Sequence, residues 1–334
     1  MSSATSLELT LRLVEATAPI AAGSRVLVEI DGPDDIAQVR RWTAATGNTL
    51  LTVHPHAVEV VRGRIADPIE ALSPEQRPGY RLWIYTNFHC NLACDYCCVA
   101  SSPRASPRVI GLDRFEALVD EAHACGFAEI YLTGGEPFLL LDLDARIHIA
   151  ASTRPTTILT NGTLWNGDRR RRLEQLPREN VTLQISLDSA SARSHDRHRG
   201  AGSFVRALDG IWLALDLGFR VRVTATLGAD VGTAEPELAA LFDELGLGED
   251  QRVIRRVARQ GAATDGLVVS RASLVPEVCV HSEGVAWHPV AAWDPSMQVA
   301  PEGTPLWVAT EAIRDEYRQY RIAGDVVAST FPCA

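Results

Sequence analysis

Several features are missing from this sequence of 334 residues, and each absence excludes a class of protein. No apolar run reaches the ~18 residues that a membrane-spanning helix needs, so we expect no association with a membrane. Residues 1–4 carry no basic stretch followed by an apolar one, so a secretory signal is not expected. Positive charge is not in excess: the net charge is −10, which disfavours binding to nucleic acid through a basic face.

Cysteine is absent from residues 1–89, so that part of the chain can carry no persulfide. All seven cysteines follow, and three of them stand at C-x3-C-x2-C spacing: Cys90, Cys94 and Cys97. Three thiolates on one short loop can hold three corners of a cubane iron–sulfur cluster. The fourth position would stay open, as it does in catalytic metal sites. Clustered thiols of this kind suit the reducing cytoplasm better than a disulfide framework does, so we expect a cytoplasmic protein.

Two other interpretations of the three cysteines stay open. A structural zinc site takes four ligands, and His89 and Cys98 lie nearby, but no second pair follows at zinc-finger spacing. Unrelated buried thiols are the second alternative, because free cysteine is often a core residue. A non-catalytic iron–sulfur or zinc-binding scaffold is therefore the rival from another functional class.

The cysteine spacing, with the aromatic Tyr96 directly before the third cysteine, resembles the radical S-adenosylmethionine (radical SAM) superfamily. The resemblance implies that Cys90, Cys94 and Cys97 bind one 4Fe–4S cluster and that SAM chelates the fourth iron. Cys98 is then not a ligand. An enzyme of this kind reductively cleaves SAM, and the resulting 5′-deoxyadenosyl radical abstracts hydrogen from a substrate. An external electron donor of the flavodoxin or ferredoxin type is implied as a partner.

Further motifs of the superfamily follow the predicted strands in chain order. Gly-Gly-Glu-Pro resembles the motif for the amino group of SAM, with Glu136 against the ammonium. Thr-Asn-Gly resembles a stretch that borders the SAM pocket, and Ser-x-Asp resembles the ribose contacts. In the His-Asp-x-x-Arg-Gly stretch, Arg199 is expected to face the carboxylate of SAM or the substrate, or to lie on a solvated loop. The residues assigned to SAM in this way are Tyr96, Gly134, Gly135, Glu136, Pro137, Thr160, Asn161, Ser186, Asp188 and Arg199.

From Tyr80 onward, the sequence alternates between strand and helix patterns. Strands are predicted at 81–85, 128–132, 155–159, 181–187, 219–226 and 252–258, and helices at 112–125, 141–152, 165–176, 203–217 and 234–245. This alternation predicts an α/β fold with a parallel sheet. The resemblance implies a partial (β/α)6 TIM-like barrel over 80–260, although periodicity alone leaves an open doubly wound sheet possible.

The regions on either side of the predicted barrel are smaller. Residues 1–65 are predicted to form an α/β domain with strands at Leu7–Leu13, Arg25–Ile30, Leu50–Val53 and Ala57–Val61, and a helix over Ile36–Ala45. The order resembles the sulfur-carrier (TusA-like) family, but in degenerate form because its cysteine is missing. Residues 66–79, with three prolines, read as a linker.

Residues 261–334 resemble the C-terminal extension of the twitch/SPASM branch in outline. A β-hairpin is predicted from Val278–His281 and Val285–His288, followed by a helix at about 308–321. Only Cys279 and Cys333 lie here, too few for a second cluster, which normally takes four ligands. No peptide-binding winged-helix pattern is visible in 6–65, so the predicted substrate is a small molecule, with peptide modification as the alternative.

Overall fold

The computed structural model describes residues 3–63, 67–70, 72–228 and 235–323. Contacts within the chain divide it into two compact units, residues 1–71 and residues 72–334. The first unit contains α1 (Ser3–Thr17), β1 (Arg25–Glu29), α2 (Pro33–Thr46), β2 (Thr49–His54) and β3 (Ala57–Val61). Its three strands form an antiparallel sheet in the order β1-β3-β2. The predictions of these three strands and of α2 are confirmed.

The strand predicted at Leu7–Leu13 is wrong, because this stretch lies within helix α1. Alternate leucines suggested a strand, but Leu9 and Leu13 are also four residues apart and therefore share one helical face. Both are completely buried, whereas Leu11 between them is 51% exposed. The core formed with Val28 and Val39 selects the helix. The unit therefore does not begin with the strand that a TusA-like order requires.

The second unit is built on six neighbouring parallel strands: β4 (Arg81–Asn87), β5 (Glu129–Gly134), β6 (Thr156–Thr160), β7 (Val181–Ser186), β8 (Arg220–Leu227) and β9 (Arg252–Arg256). The helices that accompany them are α3 (Leu112–Ala124), α4 (Leu143–Ala151), α5 (Gly167–Gln175), α6 (Ala192–Arg199), α7 (Ser203–Asp216) and α8 (Glu235–Glu244). The six predicted strands and five predicted helices are confirmed, and α6 was not predicted. The arrangement is a partial (β/α)6 barrel, whose active-site edge is the carboxyl end of its strands.

Burial explains why these segments pair in this way. Strand β4 is buried from Leu82 to Asn87, as expected for a parallel strand covered on both faces. Helix α3 is amphipathic and buries Phe115, Leu118 and Ala122 against the sheet. Within the described part of the chain, no helix is both long and apolar enough to span a membrane.

The C-terminal extension continues the barrel sheet. It contains β10 (Val278–His281), β11 (Gly284–Ala286), β12 (Gln298–Pro301) and α9 (Leu306–Ala323). Strand β10 lies parallel to β4, so the sheet runs β12-β11-β10-β4 and then through the barrel to β9. The predicted hairpin and final helix are confirmed, although the second hairpin strand ends at Ala286 and not at His288, and β12 was not predicted. Cys333 lies outside the described residues.

Candidate active site

The three clustered cysteines line a single cavity at the carboxyl ends of the barrel strands. They lie on the loop between β4 and α3, and Cys90 is only 8% exposed. Two backbone amides point at sulfur: the N–H of Leu92 donates to Cys90 Sγ at 3.4 Å and that of Ser101 to Cys97 Sγ at 3.2 Å. Hydrogen bonds to sulfur are among the features that tune iron–sulfur clusters. The loop therefore presents its thiols in a setting suited to thiolates bound to iron.

The electrostatics of the thiols agree with a bound metal centre. Burial raises the pKa of Cys90 to about 12 and that of Cys94 to about 11, so thiolates here need a cation to stabilise them. Among the described residues, no three His, Cys, Asp or Glu side chains converge closely enough to share one metal ion. A cubane offers a separate iron to each thiolate, so each of the three thiols that line this cavity can bind a different iron.

Two glycines after β5 allow the second loop to pack directly on the cysteine loop. Gly135 donates its N–H to the carbonyl of Asn87 at 3.0 Å, and a Cβ on Gly135 would overlap the carbonyl of His89. Gly134 has φ of 150°, a backbone conformation that favours glycine. Both glycines line the cavity, where their backbone is accessible to a ligand.

Glu136 is placed differently from the expectation that it faces a ligand. Its side chain is completely buried and does not line the cavity. Its carboxylate accepts hydrogen bonds from Phe138 N at 3.0 Å, Thr160 Oγ1 at 2.8 Å and Asn161 N at 2.8 Å. Burial raises its pKa to about 7. Glu136 thus ties the second loop to the third, and the neighbouring Pro137 is also buried away from the cavity.

The third loop contacts the cysteine loop through amides. Asn161 Nδ2 donates to Asn91 Oδ1 at 2.9 Å and lies 3.8 Å from Cys90 Sγ. In return, Asn91 Nδ2 donates to Thr163 Oγ1 at 2.9 Å. Thr160 and Asn161 both line the cavity, so the structure brings this predicted pair beside the cysteines.

Asp188 and Arg199 form a buried ion pair. The Asp188 carboxylate accepts from Arg199 Nε at 2.5 Å, from Thr226 N at 2.9 Å and from the hydroxyl of Tyr96. Asp188 itself does not line the cavity. Arg199 is 7% exposed, so it does not lie on a solvated loop. Arg199, Tyr96 and Ser186 do line the cavity.

The rest of the His-Asp-x-x-Arg-Gly stretch is structural. His195 is buried, accepts from the backbone N–H of Asp188 at 3.2 Å, and has a pKa lowered to about 4 by burial. Asp196 accepts from Phe204 N at 2.8 Å and from Gly202 N at 2.6 Å, and so fixes the start of α7. Together they hold α6 where Arg199 reaches the cavity.

Several residues in or beside the cavity were not identified from the sequence as site residues. Gly261, after β9, packs so tightly on the cysteine loop that a Cβ would overlap the carbonyl of Cys97, and Ala262 N donates to that carbonyl at 2.9 Å. Further lining residues come from β4, the cysteine loop, β8 and the segment after β11: Trp83, Tyr85, Cys98, Thr226, Pro289 and Val290. No local pattern signals these residues, since the fold alone brings them together.

The family model of the Radical SAM superfamily matches residues 84–242, slightly less than half of the chain, so this stretch is similar to that superfamily. Members of that superfamily bind a 4Fe–4S cluster and SAM.

Two curated relatives each match less than half of the chain. The antilisterial bacteriocin subtilosin biosynthesis protein AlbA of Bacillus subtilis (strain 168) is 33% identical over 142 residues, which are 41% of this chain and 31% of AlbA. An AdoMet-dependent heme synthase of Oleidesulfovibrio alaskensis is 28% identical over 159 residues, which are 47% of this chain and 40% of the synthase. The chain therefore matches less than half the length of either relative.

Among solved structures, a histidine-tagged form of anSMEcpe with bound AdoMet is similar, with a TM-score of 0.54 and 13% sequence identity. The match covers 72% of this chain and 78% of that one. At this identity the likeness shows the fold, and it agrees with the partial barrel described above.

Proposed function

We propose that this protein is a radical SAM enzyme that reductively cleaves SAM at a 4Fe–4S cluster held by Cys90, Cys94 and Cys97. The observation that carries the proposal is the placement of three thiols around one cavity, at the carboxyl ends of the barrel strands, within the stretch that is similar to the radical SAM superfamily. When bound, the cluster supplies the electron that cleaves the sulfonium of SAM, giving a 5′-deoxyadenosyl radical that abstracts hydrogen from the substrate.

The chain's own residues bind and orient SAM in this proposal. The backbone of Gly134 and Gly135 receives the methionine end, because no side chain blocks approach there. Ser186 serves the ribose and Tyr96 lies beside the adenine, and both line the cavity. Glu136 acts by positioning, through its hydrogen bonds to the third loop.

The proposed substrate is a small molecule that enters opposite SAM. The segment after β11 supports a small substrate. Tyr85 donates its hydroxyl to the carbonyl of Pro289 at 2.7 Å, and this hydrogen bond fixes that segment at the cavity. Modification of a peptide is the second candidate, favoured by the 33% identity to a bacteriocin biosynthesis protein. The heme synthase match favours the small molecule.

The remaining parts of the chain take supporting roles in the proposal. Residues 1–65 are a docking unit without sulfur relay, since no cysteine lies there. Residues 261–334 carry no second cluster. The electron comes from an external donor of the flavodoxin or ferredoxin type in the cytoplasm.

The test is anaerobic reconstitution followed by reduction with dithionite in the presence of SAM. The wild-type protein should form 5′-deoxyadenosine, and Cys94→Ala should form none. Cys98→Ala is the matched control, because Cys98 also lines the cavity but is not a proposed ligand. Iron-loaded wild-type protein that forms no 5′-deoxyadenosine would identify a non-catalytic scaffold.

A further inference from the structure

Among the described residues, the charged side chains that line the cavity are all positive. Its described lining contains three arginines, Arg199, Arg255 and Arg256, and no aspartate or glutamate. Arg199 is already neutralised by its ion pair with Asp188. Neither Arg255 nor Arg256 forms an ion pair within the part of the chain that the structure describes. Two positive charges therefore face this cavity without a carboxylate partner.

Arg255 lies on strand β9 and lines the cavity. Its Nε donates to the hydroxyl of Thr226 at 3.2 Å, which anchors the side chain but leaves its charge uncompensated. The terminal Nη atoms make no hydrogen bond with any described residue, so a fork of donors is available to a ligand. An Arg fork matches carboxylate and phosphate groups, which it binds through two parallel hydrogen bonds.

The imidazole of His288, which lies near Arg255, is neutral. Burial, and then the charge of Arg255, lowers the pKa of His288 to about 3, so this imidazole carries no charge at neutral pH. Apolar surface from Pro289 and Val290 also lines the cavity. A small number of polar groups in an otherwise apolar wall is the usual composition of a site that orients a small ligand.

We propose that Arg255, assisted by Arg256, binds an anionic group of the substrate, a carboxylate or a phosphate, on the side of the cavity opposite SAM. The inference rests on the proposed function, because it names the substrate class of that same site. Arg255 is then a specificity-determining residue that holds the substrate by its anionic end against the wall formed by β9.

The test uses inorganic phosphate and ¹³C-labelled malonate as probes of the two anion types. Full-length protein is reconstituted anaerobically, and the relaxation of the ³¹P or ¹³C nucleus is measured with the cluster reduced and paramagnetic. The wild-type protein should accelerate relaxation of at least one probe in a saturable way. Arg255→Gln should weaken the apparent affinity about tenfold or more, as expected for loss of a charge-assisted hydrogen bond.

Arg259→Gln is the matched control, because Arg259 is exposed just after the same strand and does not line the cavity. Its probe affinity should stay within about twofold of wild type, in line with a surface change. Equal probe affinity in wild-type and Arg255→Gln protein would overturn the inference.

A parallel titration separates substrate from SAM as the source of the anion. SAM affinity should be unchanged in Arg255→Gln, and a tenfold loss there would assign Arg255 to the carboxylate of SAM and overturn the inference. Formation of 5′-deoxyadenosine is measured on the same preparations. If 5′-deoxyadenosine forms while Arg255→Gln leaves probe binding unchanged, the inference about Arg255 fails and the proposed function stands. If the wild-type protein forms no 5′-deoxyadenosine, the proposed function fails.

Discussion

Arg199 and Asp188, eleven residues apart in sequence, form a buried bidentate ion pair at the cavity, with an Nε–Oδ2 distance of 2.5 Å and an Nη2–Oδ1 distance of 3.2 Å. The pair joins helix α6 to the loop after β7. Burial alone would raise the pKa of Asp188, but the charge and hydrogen bonds of Arg199 hold it below its usual value. Asp188 also accepts from Tyr96, so the pair connects the cysteine loop to the opposite side of the barrel.

Asp188→Asn should lower the free energy of unfolding by about 3–5 kcal/mol, since it leaves the Arg199 charge buried without its partner. Asp250→Asn is the control, because the Arg220–Asp250 pair is exposed, and its loss should cost under about 1 kcal/mol. Urea unfolding followed by circular dichroism measures both. Equal losses in the two variants would show that the buried pair has no special role in stability.

The same pair predicts a pH dependence. A carboxyl with a lowered pKa stabilises the folded protein above the pKa of the unfolded state, about 3.9, and this stability is lost as pH falls through the folded pKa. The stability difference between wild type and Asp188→Asn should therefore be full at neutral pH and shrink below about pH 4. A difference that stays constant into acid would contradict the assigned ionisation.

Glu136→Gln should weaken SAM binding about tenfold while leaving the iron content unchanged. The carboxylate accepts hydrogen bonds from both Thr160 and Asn161, whereas an amide can accept only one of the two. The loss is equivalent to one charge-assisted hydrogen bond. Isothermal titration on the reconstituted protein measures the affinity. Glu302→Gln, at an exposed position, is the control. Unchanged SAM affinity in Glu136→Gln would show that the two loops keep their positions without the carboxylate.

The raised pKa of Glu136 predicts that the free energy of unfolding depends on pH. Burial raises its pKa to about 7, so the unfolded state releases this proton at lower pH than the folded state does. The contribution of Glu136 to stability should be complete below about pH 4.3 and be lost as pH rises to about 7. Glu136→Gln should flatten that part of the unfolding profile, and an unaltered slope would contradict the raised pKa.

Gly135→Ala should reduce the iron retained after reconstitution, because the added Cβ overlaps the carbonyl of His89 and pushes the second loop away from the cysteines. Overpacking of this kind typically costs about 1–3 kcal/mol. Gly111→Ala is the matched control, since a Cβ there meets no atom within 4 Å. Iron analysis measures the iron that each variant retains. Equal retention in Gly135→Ala and Gly111→Ala would exclude this packing role.

Cys279→Ser should keep the full iron content of one cluster. Cys279 is completely buried in β10, between Trp83 of β4 and Ala286 of β11, and it does not line the cavity. Cys333→Ser is expected to behave in the same way. An iron content that falls by about half in either variant would reveal an auxiliary cluster, because the substitution would then remove one of the four ligands that a 4Fe–4S cluster normally takes.

Much of the barrel could be predicted from the sequence because its strands are apolar runs and its helices have clear amphipathic faces. The failure at Leu9 and Leu13 has a physical cause: spacing of two and spacing of four coincide at alternate leucines, and only the tertiary core decides between them. Helix α6 was missed because its eight residues are mostly charged or polar and contain no apolar stripe.

The candidate site was predictable to a different degree on its two sides. Cysteine spacing and the Gly134–Gly135 pair identify one wall, since these features are local in the chain. The ion pair of Asp188 with Arg199 and the cavity lining at Arg255 arise from segments far apart in sequence. Sequence reasoning assigned Asp188 to the ribose of SAM, which stays a prediction, and it could not foresee the hydrogen bond that Asp188 accepts from Arg199.

The most direct test of the account is electron paramagnetic resonance of the reduced, anaerobically reconstituted protein before and after addition of SAM, together with iron and sulfide analysis. Wild type and Cys98→Ala should each bind about four iron and four sulfide and show a cluster signal that SAM alters, whereas Cys94→Ala should lose the cluster. One equivalent of zinc without iron, or a wild-type cluster signal that SAM leaves unchanged, would contradict a cluster held by three cysteines with one iron open to SAM.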